Sequence, residues 1–186
     1  MWIYILIAVV VVIALWFVGT YNGFIKRKGV VDEAFAGMDV YLKKRYDLIP
    51  NLVETVKTYM SHEQDTLTKI VELRSAASDK NASMTDRVEA DNQLSGALTH
   101  LFALSENYPE LKASEQFLSL QNQLTAVETD IAEARKYYNG AAKLFNVKVR
   151  SIPSNLVANM CGFRDVPYFE VTDAAERENV KVDFGK

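Results

Sequence analysis

Residues 2–19, WIYILIAVVVVIALWFVG, carry no charge and no proline, and this stretch limits what the chain can fold into more than any other. At about 1.5 Å per residue a helix of this extent reaches roughly 27 Å, enough to cross the hydrocarbon core of a bilayer. Aromatic residues flank it, Trp2 and Tyr4 at one end, Trp16, Phe17 and Tyr21 at the other, where amphipathic rings favour the two water interfaces. A cleaved signal peptide would want a basic leader, a shorter apolar core and a small-x-small cleavage site. Here no Lys or Arg precedes the core, and it ends in FVGTYNGF. Residues 1–20 are therefore expected to be a retained transmembrane anchor that meets the lipid bilayer through residues 2–19. Lys26, Arg27 and Lys28 follow the span, so the positive-inside rule predicts a single pass with the N-terminus outside and the C-terminal domain cytoplasmic.

The formal charge of −3 over 186 residues gives no sequence-wide attraction to nucleic acid. The single cysteine, Cys161, has no partner for an internal disulfide, so the fold must rest on apolar burial. That burial reads as helical. Val31, Phe35, Met38 and Leu42 begin an apolar seam; Leu94, Leu98, Leu101, Ser105 and Tyr108 form another; Phe117, Leu120, Leu124, Val127, Ile131, Ala134, Tyr138, Ala141, Phe145 and Val149 sustain the longest, at steps of three and four. Between the seams, SAASDKNASMTD offers Ser83 or Thr85 as an N-cap. Pro109 ends one helix, Ser114 can cap the next, and Pro153 stops the last. Residues 21–153 are predicted to form a helical bundle, and residues 154–186 an arm docked through Phe163, Val166, Tyr168 and Phe169 with a loose charged end.

Pro50 complicates the first half. Leu42, Tyr46, Ile49, Val53, Val56 and Met60 keep a helical seam across it, yet a mid-helix proline costs about 3 kcal/mol. Lys43, Lys44 and Arg45 suit the end of one helix and Asp47 the cap of the next, which would put Pro50 harmlessly in a first turn. With such a corner the segments 22–45, 48–77, 84–108 and 114–151 make an all-α, up-and-down four-helix bundle; without it, three helices include one long kinked helix. The corner is preferred because it covers the apolar stripe of residues 22–45.

The blocks DLIPNLVETVK with HE (47–57, 62–63), YPELKA (108–113), ARKYYN with FN (134–139, 145–146) and CGFRDVPYFEV (161–171) resemble the LemA family of bacterial membrane proteins. The resemblance covers about Tyr21 to Val171 and implies a single-pass anchor, an all-α bundle and a bacterial source. It supplies no activity, since the family's role is poorly defined, although its genes often neighbour a membrane zinc metalloprotease or a TPM-domain membrane protein. Tyr46 stands where the family commonly has a histidine.

Catalytic parts are scarce. HEQDT begins like a zinc-protease helix, but Thr66 occupies the place of the second histidine in H-E-x-x-H. His62, Glu63 and His100 could share one level of a bundle as a weak metal or pH-sensing group, while lone surface histidines are more commonly solvated. No nucleophile elbow and no glycine-rich phosphate loop occurs among 8 glycines. Neither cofactor, metal nor catalytic residue is assigned. Glu106, Glu128, Arg135, Asn139 and Asn146 read first as interhelical hydrogen bonds and ion pairs.

Two polar groupings remain as candidate sites. Arg45, Asp47 and Asn51 at the corner, level with Glu106 and Lys112, would form an interaction tip. The echoing triplets Tyr21-Asn22-Gly23 and Tyr138-Asn139-Gly140 would meet beside the bilayer if the chain turns at Pro50, and lie far apart if it does not. The sequence thus predicts a membrane-anchored, non-catalytic scaffold or adaptor of the bacterial envelope. Its alternative is a regulator or client-binding partner of a membrane metalloprotease. A protein partner is expected, and the long last seam would also serve a homo-oligomer.

Overall fold

The computed structural model describes residues 1–169. They are helical, without strands: α1 (Trp2–Lys57), α2 (Gln64–Ser78), α3 (Met84–Ser105), α4 (Pro109–Lys112), α5 (Glu115–Arg150) and α6 (Ser154–Cys161). The all-α class and the N-terminal apolar helix leading into bundle packing are as expected. Within α1 lies the one stretch among the described residues long and apolar enough to cross a membrane, and none of it is buried inside the protein.

The corner at Asp47–Pro50 does not form. α1 runs through Pro50 without a break, and it stops at Lys57, so a single kinked helix reaching residue 77 is absent as well. The reason is the seam. Leu42, Tyr46 and Ile49 before the proline and Leu52 and Val56 after it are all buried, each contributing roughly 1.5–3 kcal/mol. Together these outweigh the donor that proline removes. Pro50 itself lies on the exposed face, where water can reach the interrupted backbone. The chain turns instead at residues 58–63, where Tyr59 and Met60 both donate to the Val56 carbonyl at 2.9 Å and Met60 is fully buried.

Two compact units are distinguished, residues 1–51 with 118–169, and residues 52–117. In the second, α2 and α3 form a hairpin whose core includes Leu67, Ile70, Leu73 and Ala77 on one helix and Val88, Leu94, Leu98 and Leu101 on the other. Its loop is ordered locally. Asp79 Oδ1 accepts from the Asn81 N–H at 2.8 Å, Ser83 caps α3 by accepting from the Asp86 N–H at 3.1 Å, and Arg87 Nε donates to the Ala77 carbonyl at the end of α2. Ser83 is thus the cap that the sequence offered. Pro109 starts the short α4, and Ser114 Oγ accepts from the Phe117 N–H at 3.4 Å before α5.

The first unit pairs α1 antiparallel with α5. Phe24 meets Phe145 edge-on at 6.2 Å, Phe35 meets Tyr138 at 6.0 Å, and Arg45 Nη1 reaches Glu128 Oε1 at 2.7 Å, so numbers fall along α5 as they rise along α1. α5 ends at Arg150, ahead of Pro153, and α6 ends on Gly162, whose φ of 76° is the left-handed conformation of a helix C-terminal glycine.

Candidate membrane-proximal site

The site begins where the apolar span ends. Lys148, in the last turns of α5, donates from Nζ to the Thr20 carbonyl at 3.2 Å, which brings the end of α5 level with the first residue beyond the span. Its ammonium also lies 4.7 Å from the Phe24 ring centre. A Cβ at Gly23 would collide with this ammonium, so glycine is what lets α1 and Lys148 approach. Around them is an aromatic cluster: Phe163 stacks on Phe24 at 4.8 Å, and Tyr21 and Phe145 flank Phe163 at 5.8 and 6.4 Å.

From Phe163 the chain returns along α5 as an extended arm, clamped by two asparagines. Asn146, buried, accepts from the Val166 N–H and donates to the Val166 carbonyl, both at 2.9 Å. Asn139 does the same with Phe169, at 2.9 and 2.8 Å. The repetition is geometric. The step from Asn139 to Asn146 rises about 10 Å along a helix, and the step from Val166 to Phe169 covers about 10 Å of extended chain, so one amide meets every third arm residue. Between them the Tyr138 hydroxyl donates to the Pro167 carbonyl at 2.8 Å, and its ring meets Phe169 edge-on at 5.7 Å. Arg135 lies over the Phe169 ring, 5.5 Å from its centre, and Arg150 pairs with Asp165 at 2.6 Å. The expected docking of Phe163, Val166 and Phe169 is therefore present; the charged end falls on residues 170–186, outside the described residues.

Ionisation follows burial and neighbours. Burial first, then the charge of Asp32, raises the Tyr138 phenol above its ordinary value, so the hydroxyl keeps its proton as donor. Burial first, then Arg27, lowers the Lys148 ammonium. The hydrogen bond from Arg150 to Asp165 raises the guanidinium further above its already high value.

The echoing triplets do not meet. Tyr21 packs on Phe163, whereas Tyr138 packs on Phe35, which lies about 21 Å further along α1. The register of α1 on α5, and not a turn at Pro50, places them. Tyr138 and Asn139 hold the arm, while Asn22 is exposed one turn past the span. The residues of the proposed tip belong to different units. Arg45, Asp47 and Asn51 sit mid-helix in α1 in the first unit, Glu106 and Lys112 in the second. Arg45 is fully buried against Glu128, Asp47 pairs with Lys43 on the surface, and Glu106 pairs with Lys112.

His62 and His100 are both exposed, and Glu63 accepts from the Tyr108 hydroxyl at 3.3 Å. Among the described residues no group of three or more His, Cys, Asp or Glu is placed to hold a metal. The chemistry here is that of a clamp, with paired amides, aromatic packing and cations beside the apolar end of α1. Lys148, Phe24 and Phe163 were not singled out as a site from the sequence. The signal that could have exposed the clamp was Asn139 and Asn146, seven residues apart in an otherwise apolar seam, with a downstream aromatic cluster to receive them.

The chain is 29% identical over 170 residues to Protein LemA of Metamycoplasma hominis, covering 90% of this chain and 75% of that protein. It is 31% identical over 87 residues to Magnetosome protein MamQ 2 of Paramagnetospirillum magneticum, covering 47% of this chain and 32% of that protein. With Magnetosome protein MamQ of Magnetospirillum gryphiswaldense it shares 22% identity over 181 residues, spanning 84% of this chain and 66% of the relative. The names of these relatives specify no reaction, and the family is not known as an enzyme family. The LemA family model matches residues 34–184, most of the sequence, and the chain belongs to the LemA family.

Proposed function

We propose that this chain is a membrane-anchored, non-catalytic scaffold or adaptor of the bacterial envelope. The observation that carries the reading is the continuity of α1 from the apolar span into the helical body. A helix without an intervening loop passes no hinge between anchor and body, so whatever the body binds is held at a set distance from the bilayer. The arm clamped across α5 supports the same reading, because it buttresses the base with fixed hydrogen bonds. The domain division into anchor (1–20), bundle (21–153) and arm with tail (154–186) is part of this proposal.

Photo-crosslinking residues placed at exposed Asp47 and Glu106 in living cells, followed by mass spectrometry, test it. A discrete protein adduct supports an adaptor, and a membrane metalloprotease as that adduct selects the regulator reading. An adduct of the chain with itself indicates homo-oligomers. Absence of any discrete adduct contradicts the proposal. Lys26, Arg27 and Lys28 beyond the span favour a body on the cytoplasmic side of the inner membrane, and a reporter fused at Lys186 should be active there and silent outside.

A further inference from the structure

Beside the end of the span, α1 and α5 enclose an open groove of about 420 Å³ lined by Gly23, Lys26, Arg27, Val30, Ala141, Leu144 and Lys148. Its walls combine three cations with side chains that are apolar and exposed: Val30 is 38% and Leu144 59% accessible. Among the described residues no carboxylate forms an ion pair with Lys26, Arg27 or Lys148, whereas the adjacent Lys28 is paired with Asp32. Like charges held together are unfavourable and attract an anion.

Position narrows the anion's identity. Lys26 and Arg27 lie roughly 10–12 Å beyond Gly19 at the helical rise, and side chains on a helix lean toward its N-terminus, which on α1 is the bilayer. Lys148 is held at the level of Thr20 and Phe24. The three charges therefore converge on the headgroup layer, the outer ~5–7 Å on each side of the hydrocarbon core. Trp16, Phe17 and Tyr21 mark that interface on the same helix.

We propose that this groove binds the phosphodiester of an anionic phospholipid, the phosphate accepting from Lys26, Arg27 and Lys148 while Val30 and Leu144 flank the headgroup. Gly23 leaves room for the Lys148 ammonium against α1; burial first, then the charge of Arg27, lowers its proton affinity, and an arriving phosphate offsets the second of these. The inference rests on residues 2–19 spanning the bilayer, which co-flotation of the chain with vesicles reads separately.

The test uses the full chain in nanodiscs of equal phosphatidylglycerol and phosphatidylcholine, with lipids retained on the protein counted by native mass spectrometry. The wild type should keep phosphatidylglycerol about tenfold over phosphatidylcholine, a K26Q/R27Q/K148Q variant should fall to within about twofold, and a K43Q/K44Q variant should match the wild type. In the wild type itself, a photoactivatable phosphatidylglycerol should label the peptides around residues 23–30 and 141–148, a readout independent of any variant's folding. Loss of co-flotation by the wild type would overturn the span together with the groove. A wild type without preference, a triple variant that retains it, labelling elsewhere, or displacement of the lipid by inorganic phosphate at matched concentration would overturn the groove alone.

Discussion

Residues 1–51 with 118–169 and residues 52–117 keep helices in register by different chemistry. In the second unit α2 and α3 are joined by a short ordered loop, with Asp79, Ser83 and Arg87 bonding to nearby backbone, so chain connectivity already sets which residues face each other, although α3 also buries Asp91 and Ser105. In the first unit α1 and α5 are far apart in sequence and present long seams of similar apolar residues that could slide by a turn. Their alignment is instead marked by the Arg45–Glu128 pair, and by Phe163 at the start of the arm, which stacks on Phe24 of α1. Buried polar groups specify register because a slipped arrangement leaves them unsatisfied. The lesson is that a polar residue inside a seam carries more positional information than the apolar ones around it.

The largest expected effect is on the clamp. Asn146→Ala removes an acceptor and a donor from a buried site and strands both backbone groups of Val166, so it should cost about 2–4 kcal/mol in denaturant unfolding of the full chain. Limited proteolysis should then cut near Asp165, and unchanged stability would show that the amide does not hold the arm. Glu128→Ala comes next. It withdraws the Glu128 carboxylate from fully buried Arg45 and should cost about 2 kcal/mol, below the full penalty for breaking a buried pair because Glu128 is partly solvated. Equivalent losses from Ser83→Ala in the hairpin would erase the contrast between the units, since a cap of that kind is expected to contribute only about 1 kcal/mol.

Pro50→Ala should raise stability by about 1–2 kcal/mol. It restores a backbone donor inside α1, against the smaller loss of proline's restriction of the unfolded chain. A chain that turned at Pro50 would gain nothing. The smallest effect is at Tyr138. Its folded-state pKa is raised, so the neutral form's contribution is complete below the unfolded value near 10 and is lost as pH climbs through the folded value. Alkaline titration of the wild type should therefore destabilise the arm above about pH 10. Tyr138→Phe should cost about 1 kcal/mol at neutral pH and flatten that part of the alkaline decline.

Most of the helical plan was legible in residues, because steps of three and four along α3 and α5 and the Ser83 cap point the same way, although Pro109 begins α4 where it was read as an end and α6 follows Pro153, which was read as the last stop. Pro50 was not. Local rules made Asp47 a cap and Lys43 to Arg45 a helix end, but burial of Tyr46, Ile49, Leu52 and Val56 overrode them. The clamp was half legible. Asn139 drew attention through its place beside Tyr138, yet its partners are backbone groups of the arm, and backbone acceptors leave no mark in a sequence. Arg45 was read as an exposed tip residue because its partner Glu128 lies on a helix whose alignment with α1 only tertiary packing establishes.

That alignment is the central claim, and a distance across α1 and α5 tests it most directly. Spin labels on the full chain at exposed Asn22 and Tyr137, with Cys161 replaced by serine, report it by electron paramagnetic resonance. An axial offset of about 21 Å and an interaxial spacing of 8–10 Å predict a backbone separation of roughly 23 Å. A separation of about 10 Å would restore the corner at Pro50, and one on the order of 80 Å would require an unbroken helix through residue 77; either would contradict the antiparallel register described above.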